Sequence, residues 1–340
     1  LEEGPYVGLW GFSEGFDWRL AVLDNATGHV VGYRDVAAEG DQLPDGRFVF
    51  NSLQARGDDR GDSIFGPLEI WDPVTGQSTI LQDCSAPLSE AEGNAQGLEF
   101  NWRGYVCPDG DLFFGFSAVS SPDGLYVASV SADPAQAPEN PSEMNRSVLL
   151  RIWEVATGAV AATHEVQLDD GLGNRQLTHF GDGWIALIDG FPGSLRSSQF
   201  KIIDASNGAV IANIVNEVPW RESMELAPDG EHAYFVTEEG VMVEYETASW
   251  QQTRSWSAVD GRPRGISLSP DGDLLAIGGE DERLSVWSLS SSVPVLLDRI
   301  PLGAWASDSA WISDTTIGVV ALKPYAGIEW RTIELDPDLV

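Results

Sequence analysis

Few residues of this 340-residue chain are of types that could do chemistry, and most of them sit in irregular segments. The stretch "QARGDDRGDSIFG" (54–66) places Arg56, Asp58, Asp59, Arg60 and Asp62 ahead of Phe65. An exposed Arg and Asp can bridge complementary charges on a partner. Its carboxylates are also the hard ligands Ca²⁺ takes, although their spacing does not match a twelve-residue Ca²⁺ loop. "GFSEG" (11–15) matches the Gly-x-Ser-x-Gly nucleophile elbow, but Ser13 lies between two strands with no helix following, so the turn that exposes the serine is missing. His29, His164, His179 and His232 show no His-x-His or His-x-x-x-His spacing, which leaves a transition metal without a ligand pair. Asn25 and Asn145 open glycosylation acceptor triplets, meaningful only in a secreted eukaryotic protein. Cys84 and Cys107 share one irregular segment. A disulfide between them implies an extracytoplasmic setting, and two free thiols a cytoplasmic one. No catalytic, cofactor-binding or metal-binding residue is expected from these patterns, with Ca²⁺ the one ion the carboxylates admit.

Charge narrows the partners. Acidic residues outnumber basic ones 53 to 19, for a net charge of −34, and Lys201 and Lys323 are the only lysines. Such a surface repels nucleic acid and acidic lipid, both densely negative. It suits a cationic partner or bound Ca²⁺, and equally a solvated, aggregation-resistant surface like that of a salt-adapted or high-GC bacterial protein. No apolar run approaches the ~18 residues of a membrane span, so no membrane insertion is expected. With 43% hydrophobic residues and 13 Trp the chain can fill a large core. It opens on "LEEGPYVGLWGF", a strand pattern without an initiator Met, as expected of a piece of a longer chain.

The elements that must position these residues are read from internal repeats. Pro-Asp-Gly recurs at 44–46, 108–110, 122–124, 228–230 and 270–272, usually leading into an alternating apolar run such as "LYVASVS" or "LLAIGG". Pro fixes φ and Gly supplies positive φ, so each copy is a tight reverse turn feeding a strand. A second unit is an apolar strand, an acidic residue, a Thr-Gly or Asn-Gly turn and another strand, as in "LEIWDPVTGQSTIL" and "FKIIDASNGAVIANI". Aligned on Asp24, Asp72, Glu154, Asp204, Glu246, Ser288 and Leu335, five of the six gaps fall near the ~40–45-residue period of a four-stranded blade. The wide gap, from Asp72 to Glu154, contains two extra segments, 83–106 and 131–147, whose removal leaves one blade.

At this point "SPDG", "LLAIGG", "LSVWSL", "LEIWD" and "LLRIWE" resemble blades of WD-repeat β-propellers over essentially the whole chain. The resemblance implies an all-β, seven-bladed β-propeller of four-stranded antiparallel blades, forming a single domain over 1–340. The Gly-His pair that opens a strong WD repeat is missing from every blade, which removes one member of the family's buried Asp-His-Ser-Trp network. Trp71, Trp153 and Trp287 are then expected on third strands as packing anchors. "DNATG" and "DASNG" also resemble turns of quinone-dependent dehydrogenase propellers, but the Trp those carry past the Gly is absent here. The Arg-Gly-Asp triplets resemble integrin-binding loops on a very short match.

Antiparallel order puts the Pro-Asp-Gly and Thr-Gly turns on one face of each blade. The irregular segments 54–66, 83–107 (which includes Trp102 and Arg103) and 131–147 then lie on the other face, and loops of unstereotyped length are where recognition tends to live. The expectation is a non-enzymatic interaction, scaffold or sensor module, monomeric within a larger chain, that binds a protein or peptide, a cationic one included, through this face. The alternative is a propeller hydrolase or lyase with acidic residues around the central channel.

Overall fold

The computed structural model describes residues 6–12, 18–24, 27, 29–36, 40–55, 63–82, 105–106, 112–113, 118–132, 147–168, 175–189, 199–215, 224–323 and 327–336. Every regular element among them is a β-strand. The strands form seven antiparallel sheets in which each strand pairs with its successor, the arrangement of propeller blades.

The fourth sheet shows the plan: Arg175–Phe180, Trp184–Asp189, Gln199–Asp204 and Val210–Val215, in that order. The second, third, fifth and sixth sheets repeat it. The first has three described strands, ending with Val30–Val36, and the seventh has three, ending with Gly327–Glu334. A single bridge, Val36 to Ser52, joins the first sheet to the second. Contacts divide the chain into two compact units. The amino-terminal unit, 3–190 and 200–214, carries the first four sheets; the carboxy-terminal unit, chiefly 215–340, carries the last three.

Turn chemistry explains why the sheets form where they do. Gly46, Gly124, Gly230 and Gly272 all have φ between 67° and 87°, a region that suits glycine. The preceding aspartates lock the turns by accepting the amide two residues on, as Asp123 does from Leu125 at 2.9 Å and Asp271 from Asp273 at 3.0 Å. The fourth sheet uses a shorter turn at Asp182-Gly183, closed by the Gly181 amide donating to the Trp184 carbonyl at 2.8 Å, with Gly183 again at positive φ. Pro108-Asp109-Gly110 is outside the described residues. It lies between two short strands, Tyr105–Val106 and Leu112–Phe113, that add a hairpin to the third sheet rather than starting a blade. The register of the seventh sheet is also one residue earlier than the alignment on Leu335 supposes. In sheets three to six the residue after the aligned position donates its amide back across the blade, as Val155 does to Leu125, and in the seventh Leu335 itself does so to Thr315. Glu334 is therefore the counterpart of Asp72.

Each unit has its own core. In the amino-terminal unit Leu150, Ile185, Leu187 and Ile203 are fully buried between the third and fourth sheets. In the carboxy-terminal unit Met242, Leu275 and Ile277 are buried between the fifth and sixth, and Leu284, Ile317 and Val319 between the sixth and seventh. Each such side chain contributes about 1.5–3 kcal/mol. The three expected tryptophans are buried on third strands. Trp71 packs its ring where a Cβ on Gly32 would stand, 2.9 Å away, and Trp153 donates its Nε1 hydrogen to Ser129 Oγ at 2.9 Å.

Blades also dock through their turns. A Cβ on Gly208, whose φ is +74°, would come within 2.4 Å of His164 Cβ on the outer strand of the third sheet. Gly208→Ala is expected to cost about 2 kcal/mol, part from the left-handed backbone and part from displaced packing. Urea midpoints of the two proteins check it, and an unchanged midpoint counts against the tight contact.

Candidate active site

In a propeller the first strand of each blade lies nearest the axis, and in the carboxy-terminal unit these strands are unusually polar. They are Met224–Leu226, Pro263–Leu268 and Trp305–Ser313. Two carboxylates, Glu225 and Asp308, flank the middle strand from either side. Glu225 is half-buried and accepts the backbone N–H of Leu268. Asp308 lies against Gly265, where a Cβ would stand 3.2 Å from Asp308 Cα and 3.4 Å from its Oδ1. The missing side chain at Gly265 is what lets the sixth and seventh sheets approach so closely here. The Ser309 amide donates to Asp308 Oδ1 at 2.8 Å, the Ser267 and Ser309 hydroxyls share a hydrogen bond at 2.9 Å, and Trp311 Nε1 donates to the Ser267 carbonyl at 3.1 Å.

This setting changes Glu225. Burial, and second to it the negative charge of Asp308, push its carboxyl up to about 8, against the opposing pull of the Leu268 amide. A carboxyl at about 8 favours the protonated form of Glu225 at neutral pH, with Asp308 beside it. The arginines nearby are already matched. Arg264 Nη2 sits 2.5 Å from Glu280 Oε1 with its guanidinium 5.1 Å from the centre of the Trp305 ring, and Arg262 pairs with Glu238 at 3.1 Å.

Two first-strand groups of the amino-terminal unit have other roles. Asp41 is pushed upward by burial, but it accepts bonds from the Ser120 amide and hydroxyl at 2.7 and 2.8 Å and from the Gln42 amide at 2.8 Å, which makes it a satisfied clip between the second and third sheets. His179, beside a bulge in the fourth sheet, is drawn down to about 4 by burial and is a neutral imidazole at pH 7.

Arg56, Asp58, Asp59, Arg60, Asp62, Trp102, Arg103, Cys84 and Cys107 lie outside the described residues, as do Ser13, Asn25 and Asn145. Phe65 falls on the third strand of the second sheet, paired with Leu53, and its side chain is outside the description. The connectors themselves occupy the expected topological places. Residues 56–62 and 133–146 join second to third strands, and the segment between Gln82 and Ala118 joins two blades. Sequence reasoning missed Glu225 and Asp308 because neither stands in a motif.

No family model matches the chain, and no curated protein matches it in sequence. Its fold is similar to that of Kuenenia stuttgartiensis hydrazine synthase, at 15% identity and a TM-score of 0.56, covering 94% of this chain and 90% of that one. It is also similar to an oligogalacturonate lyase solved in complex with manganese, at 12% identity and a TM-score of 0.60, covering 99% and 88%. Among the described residues no group of three or more His, Cys, Asp or Glu is placed to hold a metal ion. The expectation of a WD-repeat family is not met by any family match, and the narrower conclusion is a β-propeller. The expectation of a non-enzyme is corrected, since both of these solved structures belong to enzymes. At these identities the likeness establishes the fold, and the fold is a β-propeller.

Proposed function

We propose that the chain is a propeller enzyme of the hydrolase or lyase class, with Glu225, kept protonated by burial and then by the neighbouring Asp308 charge, as its general acid and Asp308 as its base. The observation that supports this reading is a single one: two carboxylates on first strands, with the proton held on Glu225 at neutral pH. Hydrolysis and β-elimination both need a proton on the departing oxygen, and carboxylates with separated pKa values divide the acid and base roles. In hydrolysis the Glu225 proton goes to the leaving oxygen while Asp308 takes one from water. In elimination Asp308 takes the proton next to an electron-withdrawing carbonyl, and the C–O bond breaks as Glu225 protonates the oxygen. The net charge of −34 disfavours polyanions, so the substrate class is neutral or cationic.

The test uses the full chain with neutral, cationic and uronate oligosaccharides, following new reducing ends and the near-ultraviolet absorbance of an unsaturated product. Turnover is expected on a neutral or cationic member, falling as pH rises through about 8, and reduced roughly 100-fold or more in Glu225→Gln. Absence of turnover across the panel, or an equally active Glu225→Gln protein, rejects the reading.

A second reading concerns a partner. The three long connectors all leave the amino-terminal unit at the end opposite the Pro-Asp-Gly turns, by strand alternation. That concentration supports recognition of a protein or peptide there, with Arg56, Asp58, Asp59, Arg60, Asp62, Trp102 and Arg103 as the contacts to mutate.

A further inference from the structure

The first strands repeat one contact at the same place, and its versions differ in a way that bears on Glu225. Asp41 in the second sheet, Glu225 in the fifth and Ser267 in the sixth all stand three residues before the proline of their turn. Each reaches the first strand of the next sheet. Asp41 takes the Ser120 amide at 2.7 Å and the Ser120 hydroxyl at 2.8 Å. Glu225 takes the Leu268 amide. Ser267 shares a hydrogen bond with the Ser309 hydroxyl at 2.9 Å. Ser120 and Leu268 are themselves counterparts, each two residues before its proline. The Asp41 and Glu225 contacts are therefore one device built twice, with a serine receiving the first carboxyl and a leucine the second.

That difference has two physical consequences. A serine gives the carboxyl a further donor, and donors to the ionised form hold a carboxyl down. Leucine has no hydroxyl to give. Its side chain supplies apolar cover instead, since Leu268 is 8% exposed in the cluster between the fifth and sixth sheets. Tyr234 belongs to the same cluster and pairs with Glu225 across the fifth sheet. Burial is the first cause of the upward displacement of the Glu225 carboxyl, and the Asp308 charge on the seventh sheet the second. On the adjoining strands Arg264 pairs with Glu280, and the Tyr234 hydroxyl, beside the Glu244–Arg254 pair, is pushed up to about 12, first by burial.

We propose that Leu268 is the positioning residue that makes Glu225 a proton carrier rather than a plain clip between blades, by withholding the hydroxyl that Ser120 gives to Asp41. The Leu268 amide holds the Glu225 carboxyl in place, and the Leu268 side chain leaves the proton on it. The assignment deepens the acid role proposed above and rests on that reading for its catalytic consequence alone.

The experiment follows the side-chain carboxyls of the full chain by carbon-13 NMR against pH, with Glu225→Gln and Asp41→Asn to assign the two signals. Leu268→Ser and Leu268→Ala are close in size and differ by the hydroxyl. The Glu225 carboxyl of Leu268→Ser is expected to titrate about one pH unit or more below that of Leu268→Ala. The alkaline fall in turnover should move with it. Ser120→Ala makes the reverse change in the other unit and should raise the Asp41 carboxyl by a similar amount, which decides the matter if the Leu268 variants do not fold. Equal titration of Glu225 in Leu268→Ser and Leu268→Ala overturns the proposal, and so does an Asp41 carboxyl unmoved in Ser120→Ala. A Glu225 shift in a protein that turns over no substrate upholds the role of Leu268 and rejects the catalytic reading instead.

Discussion

Glu225→Gln is expected to be as stable as the parent protein at pH 5 and more stable at pH 9, by about 2–3 kcal/mol. In the folded chain burial and the Asp308 charge raise the Glu225 carboxyl from 4.5 to about 8. A group whose folded pKa is raised stabilises the fold fully below its unfolded pKa, and that stability is lost as pH rises through the folded value. Here the loss runs from about pH 4.5 to about pH 8. At about 1.4 kcal/mol per unit the ceiling is roughly 5 kcal/mol, and the solvent that still reaches the half-buried Glu225 brings the expectation down. Glutamine mimics the protonated carboxyl and does not titrate, so the loss should vanish.

His179 works in the opposite sense and makes the experiment cleaner. Its imidazole is lowered from 6.5 to about 4 by burial, so it costs stability only as pH falls below 6.5. Above pH 6.5 His179 therefore adds no slope, and the difference between parent and Glu225→Gln reads Glu225. Urea midpoints of parent, Glu225→Gln and Asp308→Asn proteins at pH 5, 7 and 9 are the measurement. Asp308→Asn should retain part of the slope, because burial remains when the neighbouring charge is gone. Parallel profiles for parent and Glu225→Gln would show that Glu225 titrates normally, and the proposed acid role would fall with it.

The contrast between what the sequence revealed and what it hid follows from range. The blade turns were legible because their chemistry is local. Asp72 takes the Val74 amide at 2.8 Å and the Thr75 hydroxyl at 2.8 Å, and Asp204 takes the Ser206 amide at 2.8 Å and its hydroxyl at 2.6 Å, all within three residues. These bonds hold both carboxyls below the usual carboxylate range, led by the Thr75 and Ser206 hydroxyls. Burial on third strands was likewise legible from the apolar runs that end in Trp71, Trp153 and Trp287. The acid pair was not, because Glu225 stands in "MEL" and Asp308 in "WASDS", and only the pairing of sheets with widely separated sequences brings them to one strand. The extra hairpin around Pro108 was misread for the complementary reason. Its turn triplet is identical to the others, and what differs is the partner strand.

A buried ion pair in the carboxy-terminal unit illustrates the same limit and gives a large expected effect. Glu244 is 4% exposed on the third strand of the fifth sheet, at a position held by Ile70, Ile152, Ile202 and Val286 in other sheets. Arg254, on the outer strand of that sheet, sits with Nε 2.5 Å from Glu244 Oε2 and sends Nη1 to the carbonyl of Ser291 at 2.8 Å and that of Leu289 at 3.3 Å. The guanidinium thus clamps the fifth sheet to the turn that ends the third strand of the sixth. Tyr234 lies close enough that burial, and then the Glu244 charge, push its hydroxyl up to about 12. Removing the cation alone strands a carboxylate in the interior, so Arg254→Met should cost about 3 kcal/mol in urea denaturation. Replacing both partners, Glu244→Ile with Arg254→Met, should recover most of that loss, because four other blades already fold with an aliphatic side chain at the Glu244 position. A double variant as weak as the single one would mean that the carbonyl clamp, rather than charge compensation, is what Arg254 supplies, since the double variant lacks the clamp as well.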